Sequence, residues 1–180
     1  GVAISTGADN TVVGAYALDG IVTASNNVAV GYTALGGCTT GARNTAVGQG
    51  AGLLITTGGQ NVALGGVALG ANITANYNTA VGDGALYTNT AASNTAVGSD
   101  CLYGNTTGTL NTAIGQSAGI AVTTGDNNLI LGADAGRTGS PGGNITTGDN
   151  FVCLGDENIT AAHIQVDWTI ASDARDKTDV

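Results

Sequence analysis

The chain has 180 residues, 31 of them glycine, with 9% charged and 4% aromatic side chains and a net charge of −9. Its four basic residues, Arg43, Arg137, Arg175 and Lys177, form no stripe that could replace the counterions of a nucleic acid, and no run reaches the roughly 18 apolar residues of a membrane span. Low charge combined with 42% hydrophobic residues excludes a disordered chain, and side chains this small, each burying little apolar area, fit many thin layers better than one thick core.

The start at Gly1, with no signal-like segment, predicts a piece of a longer or processed polypeptide. From Asn10 onward the chain is periodic. Gly14, Gly31, Gly48, Gly65, Gly82, Gly98, Gly115 and Gly132 close eight five-residue units of the type Asn-x-Ala-Val-Gly, spaced 17 residues apart except for one step of 16 from Gly82 to Gly98. Asn10, Asn27, Asn44, Asn61, Asn78, Asn94, Asn111 and Asn128 open the same units. Three residues after each glycine stands a small residue (Ala17, Ala34, Ala51, Ala68, Ala85, Cys101, Ala118, Ala135), then Leu or Gly, and farther on a Thr-Thr-Gly turn recurs.

One period therefore holds two short apolar stretches and two turns. Gly, Thr, Asn and Val at this density disfavour helix, and no 3.6-residue stripe persists. The expectation is an all-β chain, a parallel β-solenoid or β-roll with a 17-residue coil and two short strands per coil, with about eight coils over 1–136. Coils stacked at ~4.8 Å make a rod roughly 40 Å long. The glycines are its corners. The asparagines are corner residues that bond the backbone and stack as side-chain ladders.

Alternation along the first strand puts Thr11, Val28, Thr45 and their counterparts on one face with Val13, Val30, Val47 and theirs. The other face holds Val12, Ala29, Ala46, Ala63, Ala80, Ala96, Ala113 and Ile130. Both faces are apolar, where a lone coil would show water a polar side. The uniform alanines predict that their side is the outer one, covered at close range by a second copy of the chain.

Residues 137–171 form an irregular last coil and transition. The stretch from Arg137 to Gly143 breaks the beat and holds the only proline, Pro141. An altered ninth copy ends at Gly155, and 162–170 alternates as a half-buried strand. Trp168 reads there as core packing or a subunit contact, with sugar binding as the alternative, and His163 as a polar-face residue. Cys101 and Cys153 fall in alanine columns and read as small core residues. Cys38 lies in a connecting segment without an assignment.

The repeated Asn-Thr-Ala-Val-Gly with Ala-Leu after it resembles the repeats in the heads of trimeric autotransporter adhesins, and equally those of phage tail-fibre proteins, over about residues 9–136. That resemblance implies a left-handed parallel β-roll with three chains side by side, a homotrimer. The last ten residues, Ala171 to Val180, resemble the start of the endosialidase-type intramolecular chaperone that ends many tail fibres and tailspikes. That resemblance makes 172–180 the beginning of a chaperone domain and implies self-cleavage between Ser172 and Asp173, with Ser172 acting beside Lys177. A serine hydroxyl needs a base to take its proton, and a desolvated lysine can serve. The alternative is a solvated polar turn.

The function these features imply is structural: a segment of a trimeric phage tail fibre or tailspike-like adhesin taking part in host-surface attachment, located in the virion. The alternative is a bacterial trimeric adhesin head at the cell surface. The partners are the chain itself and a host-surface glycan or protein, without nucleic acid or membrane insertion. An ice-binding solenoid ranks lower, because adjacent threonines face opposite ways if extended and the pairs lapse at 73–75 and 90–92. An enzyme or sugar-binding face ranks lower too, because Asp83, Asp100, Asp126, Asp134 and Asp149 stand in different phases. Gly-Asp-Asn at 125–127 and 148–150 reads as a turn before a calcium loop. No catalytic set within the repeats, no cofactor motif and no metal-ligand spacing stands out.

Overall fold

A computed structural model of the protein describes residues 6–20, 23–140 and 143–160. Nine three-residue strands, β1 (Thr11–Val13), β2 (Val28–Val30), β3 (Thr45–Val47), β4 (Val62–Leu64), β5 (Thr79–Val81), β6 (Thr95–Val97), β7 (Thr112–Ile114), β8 (Leu129–Leu131) and β9 (Val152–Leu154), form a single parallel sheet in chain order. Each residue pairs with its counterpart one repeat on, as Ala29 with Ala46 and Val30 with Val47. The altered ninth copy joins the ladder across the longer excursion, Ile130 opposite Cys153. The chain is an all-β parallel solenoid, without helix among the described residues.

Each coil holds one strand, not the expected two. The second apolar stretch is a curled ribbon whose alternate residues take left-handed backbone, Thr33 at φ 56° and Leu35 at φ 50°. Its N–H groups still reach across coils, Thr33 back to the Ala15 carbonyl (3.0 Å) and Leu35 forward to that of Ala51 (2.9 Å). The curl turns two consecutive residues inward, Ala34 and Leu35, both fully buried. An extended strand would put them on opposite faces.

The faces of the strand are the reverse of the sequence expectation. Ala29, Ala46, Ala63, Ala80, Ala96, Ala113 and Ile130 point into the coil and are at most 1% exposed. The Val, Leu and Thr columns point out. A 17-residue coil encloses only a thin interior, and its opposite wall already supplies Ala34 and Leu35 or their equivalents. Alanine is what fits between.

The core is continuous along the rod and includes all three cysteines. Cys101 and Cys153 occupy alanine positions, as expected. Cys38 proves to be a fully buried core residue beside Leu35. Burial pushes the Cys38 thiol above its ordinary pKa and that of Cys101 up to about 12, so both are protonated and poor nucleophiles at neutral pH.

Two devices hold coil to coil. At the corners, Gly14 to Gly115 of the repeats take φ of 127–136°, and a Cβ at Gly31 would collide with the Gly48 carbonyl. Only glycine allows that approach. Below the corner runs a buried asparagine ladder. The Oδ1 of Asn27 accepts from the Asn44 N–H (2.8 Å), Asn44 from Asn61 (3.0 Å), Asn61 from Asn78 (2.9 Å), and so on to Asn128 and the Phe151 N–H (2.8 Å). The Nδ2 of each donates to a carbonyl 13 to 20 residues on, as Asn44 to Gly58 (2.9 Å) and Asn61 to Ala75 (2.9 Å).

Candidate functional site

The stretch that stands out is the outer face of the strand ladder. Two columns form it: Thr11, Val28, Thr45, Val62, Thr79, Thr95, Thr112, Leu129 and Val152, and beside them Val13, Val30, Val47, Leu64, Val81, Val97, Ile114, Leu131 and Leu154. None carries a charge. Val13 (58% exposed), Ile114 (46%) and Val152 (61%) are open to solvent, and the rest are half-buried or exposed. At ~4.8 Å per strand the face is roughly 40 Å long.

Parallel sheets are found with both faces covered. Here one face is covered by the coil's own alanine-lined interior, and the other has nothing over it in the described chain. An uncharged, mostly β-branched stripe of this length exceeds the scattered apolar residues normal to a soluble surface. What it can do chemically is bury itself against a matching flat, apolar face.

The suspected self-cleavage residues Ser172, Asp173 and Lys177, and with them His163 and Trp168, lie outside the described residues. Of the carboxylates named from sequence, Asp126 and Asp149 take equivalent places in successive coils. Asp134 pairs with Arg137, Asp126 accepts the N–H and hydroxyl of Thr109 through one oxygen (2.6 and 2.9 Å), and Asp149 accepts the Asp126 N–H (2.7 Å). The Thr109 N–H, and after it the Thr109 hydroxyl, hold the Asp126 carboxyl below its usual range. The Gly-Asp-Asn turns thus join one coil to the next, Asn127 donating to Asn150 (2.8 Å). Among the described residues no group of three His, Cys, Asp or Glu side chains is placed to hold a metal ion, and no helix is long and apolar enough to cross a membrane.

In the threonine pairs, the first hydroxyl donates to the next coil, Thr39 to the Thr56 carbonyl (3.2 Å) and Thr106 to that of Thr123 (2.9 Å). The second is exposed, and this exposed column continues through Thr74; Thr90 instead donates its hydroxyl to the Thr106 carbonyl (2.9 Å), as the first of a pair does. One column of hydroxyls beside a hydrogen-bonded one is a narrow edge, not a two-dimensional array.

Comparison with protein-family models, with curated proteins and with solved structures yields no match to this chain.

Proposed function

We propose that this chain is a structural segment of a homotrimeric fibre, the tail fibre or tailspike-like adhesin of a phage, which takes part in attachment to a host surface. The observation that carries the reading is the uncovered outer face of the ladder: an uncharged, mostly β-branched stripe running the length of nine strands. Copies packed side by side bury that stripe and give the stiffness a fibre needs. The repeats cannot set their own register, since a one-coil slip buries nearly the same surface. A chaperone domain beginning at 172, with cleavage between Ser172 and Asp173 by Ser172 and Lys177, supplies the missing registration. The bacterial adhesin head, carried by the same repeat resemblance, requires the same assembly and differs in the owner of the fibre.

Light scattering on the purified chain tests the assembly. The expected mass is three times that of one chain, and Val47→Asp with Ile114→Asp shifts it to one, with the β-rich circular dichroism retained. A wild-type monomer at micromolar concentration overturns the reading. For the terminus, the intact mass of a product extending beyond Val180 shows whether the bond after Ser172 is cut, and Ser172→Ala abolishes the cut.

A further inference from the structure

The last coil differs from the others in a way the fibre reading leaves unused. Between β8 and β9 the register step is 23 residues, against 17 or 16 elsewhere. The added length lies between Gly136 and Asn144, and its described ends are tied together. Ser140, only 5% exposed, accepts the Arg137 N–H (3.2 Å) and donates to the Asp134 carbonyl (3.2 Å), and the Ile145 N–H closes on the Gly136 carbonyl (3.0 Å). The turn at Asp156–Asn158 faces this excursion so closely that a Cβ at Gly139 would lie 3.0 Å from the Glu157 carboxylate. Between them opens a cleft of about 460 Å³, with Ile120 and Ala121 of the preceding coil also lining it.

The lining is mixed in a particular way. The side chains of Thr138, Asn144 and Glu157 make no hydrogen bond to any described residue and border the cleft, so donors and acceptors are both free there. Arg137 is anchored by Asp134 through one nitrogen, which leaves further guanidinium N–H groups. Arg137 also ends a column of the rod: Tyr87, Tyr103, Ile120 and Arg137 occupy equivalent places in successive coils, tied by N–H bonds such as Thr88 to the Tyr103 carbonyl (3.3 Å) and Gly104 to that of Ile120 (3.2 Å). Tyr87 and Tyr103 are stacked, centroids 5.1 Å apart, and Tyr103 is 37% exposed. An aromatic platform therefore runs toward a polar cleft along one column.

We propose that this end of the solenoid is an oligosaccharide-binding site. Sugars offer hydroxyls that donate and accept together with apolar C–H faces, which is what free amide, carboxylate, hydroxyl and guanidinium groups beside tyrosine and isoleucine recognise. A cleft of this volume lies within the usual range of small-molecule sites, and the clipped loop lowers the ordering cost of binding. Three carboxylates (Asp134, Asp156, Glu157) against one guanidinium leave the cleft net negative. The ligand is accordingly a neutral or amine-bearing saccharide, not a sialylated, sulfated or phosphorylated one. The proposal deepens the attachment reading, on which its biological sense rests, by naming the receptor's chemistry.

The test is a printed array of neutral, amine-bearing and acidic oligosaccharides probed with the whole chain. Neutral or amine-bearing glycans give signal and acidic ones do not. Glu157→Gln, Asn144→Ala and Tyr103→Ala each lower that signal at least tenfold, with melting curve and mass by light scattering unchanged for the first two. Silence across the neutral and amine-bearing spots overturns the proposal, as does preference for acidic glycans or binding indifferent to all three substitutions. A monomer that still binds the neutral glycans sinks the trimer and leaves the site standing.

Discussion

The coil from Asn44 to Gln60 and the next, from Asn61 to Tyr77, enclose the same interior by opposite assignments. In the first, Gly52 stands where the ribbon enters the core, and Ile55, three residues on, fills the space; a Cβ at Gly52 would lie 3.0 Å from Ile55 Cδ1 and from Leu35 Cδ2. In the second, Leu69 fills the space and Asn72 takes the place of the isoleucine, its amide closed on the Ala75 N–H (2.9 Å) and carbonyl (3.2 Å). The exchange holds from Leu35 onward: Leu35 goes with Cys38, Leu86 with Asn89 and Leu102 with Asn105, while Gly119 goes with Val122 and Gly136 with Ile145. A coil has room for one large apolar side chain at this point. The leucines sit at φ near 50°, a backbone that costs about 1–2 kcal/mol outside glycine, which burial of the side chain, at about 1.5–3 kcal/mol, offsets.

Both coils share the asparagine ladder, so breaking it costs both, the second slightly less because Asn72 also holds the Ala75 carbonyl. Asn44→Ala leaves the Asn61 N–H and the Gly58 carbonyl without their partner; Asn61→Ala does so to the Asn78 N–H, while the Ala75 carbonyl keeps the Asn72 amide. At about 1–3 kcal/mol for each buried group left unsatisfied, Asn44→Ala costs about 3 kcal/mol and Asn61→Ala about 2 kcal/mol. Urea melts of the two variants should agree within about 1 kcal/mol. A larger gap would show that the ladder's strength depends on what fills the core beside it.

The exchange itself predicts a smaller effect and its reversal. Gly52→Leu in the Ile55 background overpacks the coil and costs about 2 kcal/mol. Adding Ile55→Asn turns this coil into its neighbour's type and recovers stability to within about 1 kcal/mol of wild type, a coupling a double-mutant cycle reads directly. Additive losses in the double variant would rule out shared volume as the reason for the pairing.

Much of this architecture is legible in the sequence because glycine and asparagine have few other uses at such regular spacing. The corner glycines, the ladder, the parallel register and the place where the coil enlarges all follow from the beat. The inward side of the strand does not. Both columns are apolar, and the rule that larger hydrophobes go inside fails where the interior is one alanine wide. The second strand is misread for a related reason: Ala34 and Leu35 are adjacent and both buried, and nothing in their types announces left-handed backbone. The same holds for the residue before each asparagine, at φ 54–63° whether it is Arg43, Tyr77, Leu110 or Asn127. The signal that was present and unused is the exchange of Leu with Asn or Cys against Gly with Ile or Val. From Leu35 to Val122 its pairing three residues apart points to one shared pocket, although Leu18 with Ile21 breaks the pattern in the sequence.

The two ends of the rod supply the smallest test. In four coils, the side chain two residues before the ladder position (Asn27, Asn78, Asn128 or Phe151) accepts an N–H from the preceding coil. Toward the N-terminus the acceptors are neutral, Ser25 for Ala8 (3.1 Å) and Asn76 for Gly59 (2.6 Å); toward the C-terminus they are Asp126 for Thr109 (2.6 Å) and Asp149 for Asp126 (2.7 Å). The Thr109 N–H and hydroxyl hold the Asp126 carboxyl below its ordinary value. A carboxyl depressed in the folded state contributes stability above its unfolded pKa, near 4, and loses it as pH falls through the folded value. The carboxylate is exposed, so the effect is local and small. Between pH 5 and pH 2, hydrogen exchange at the Thr109 amide, corrected for its intrinsic pH dependence, should lose protection while that at Gly59 holds. Asp126→Asn should remove the difference. Equal loss at both amides would mean that acid loosens the rod as a whole and that the charged acceptors behave as the neutral ones do.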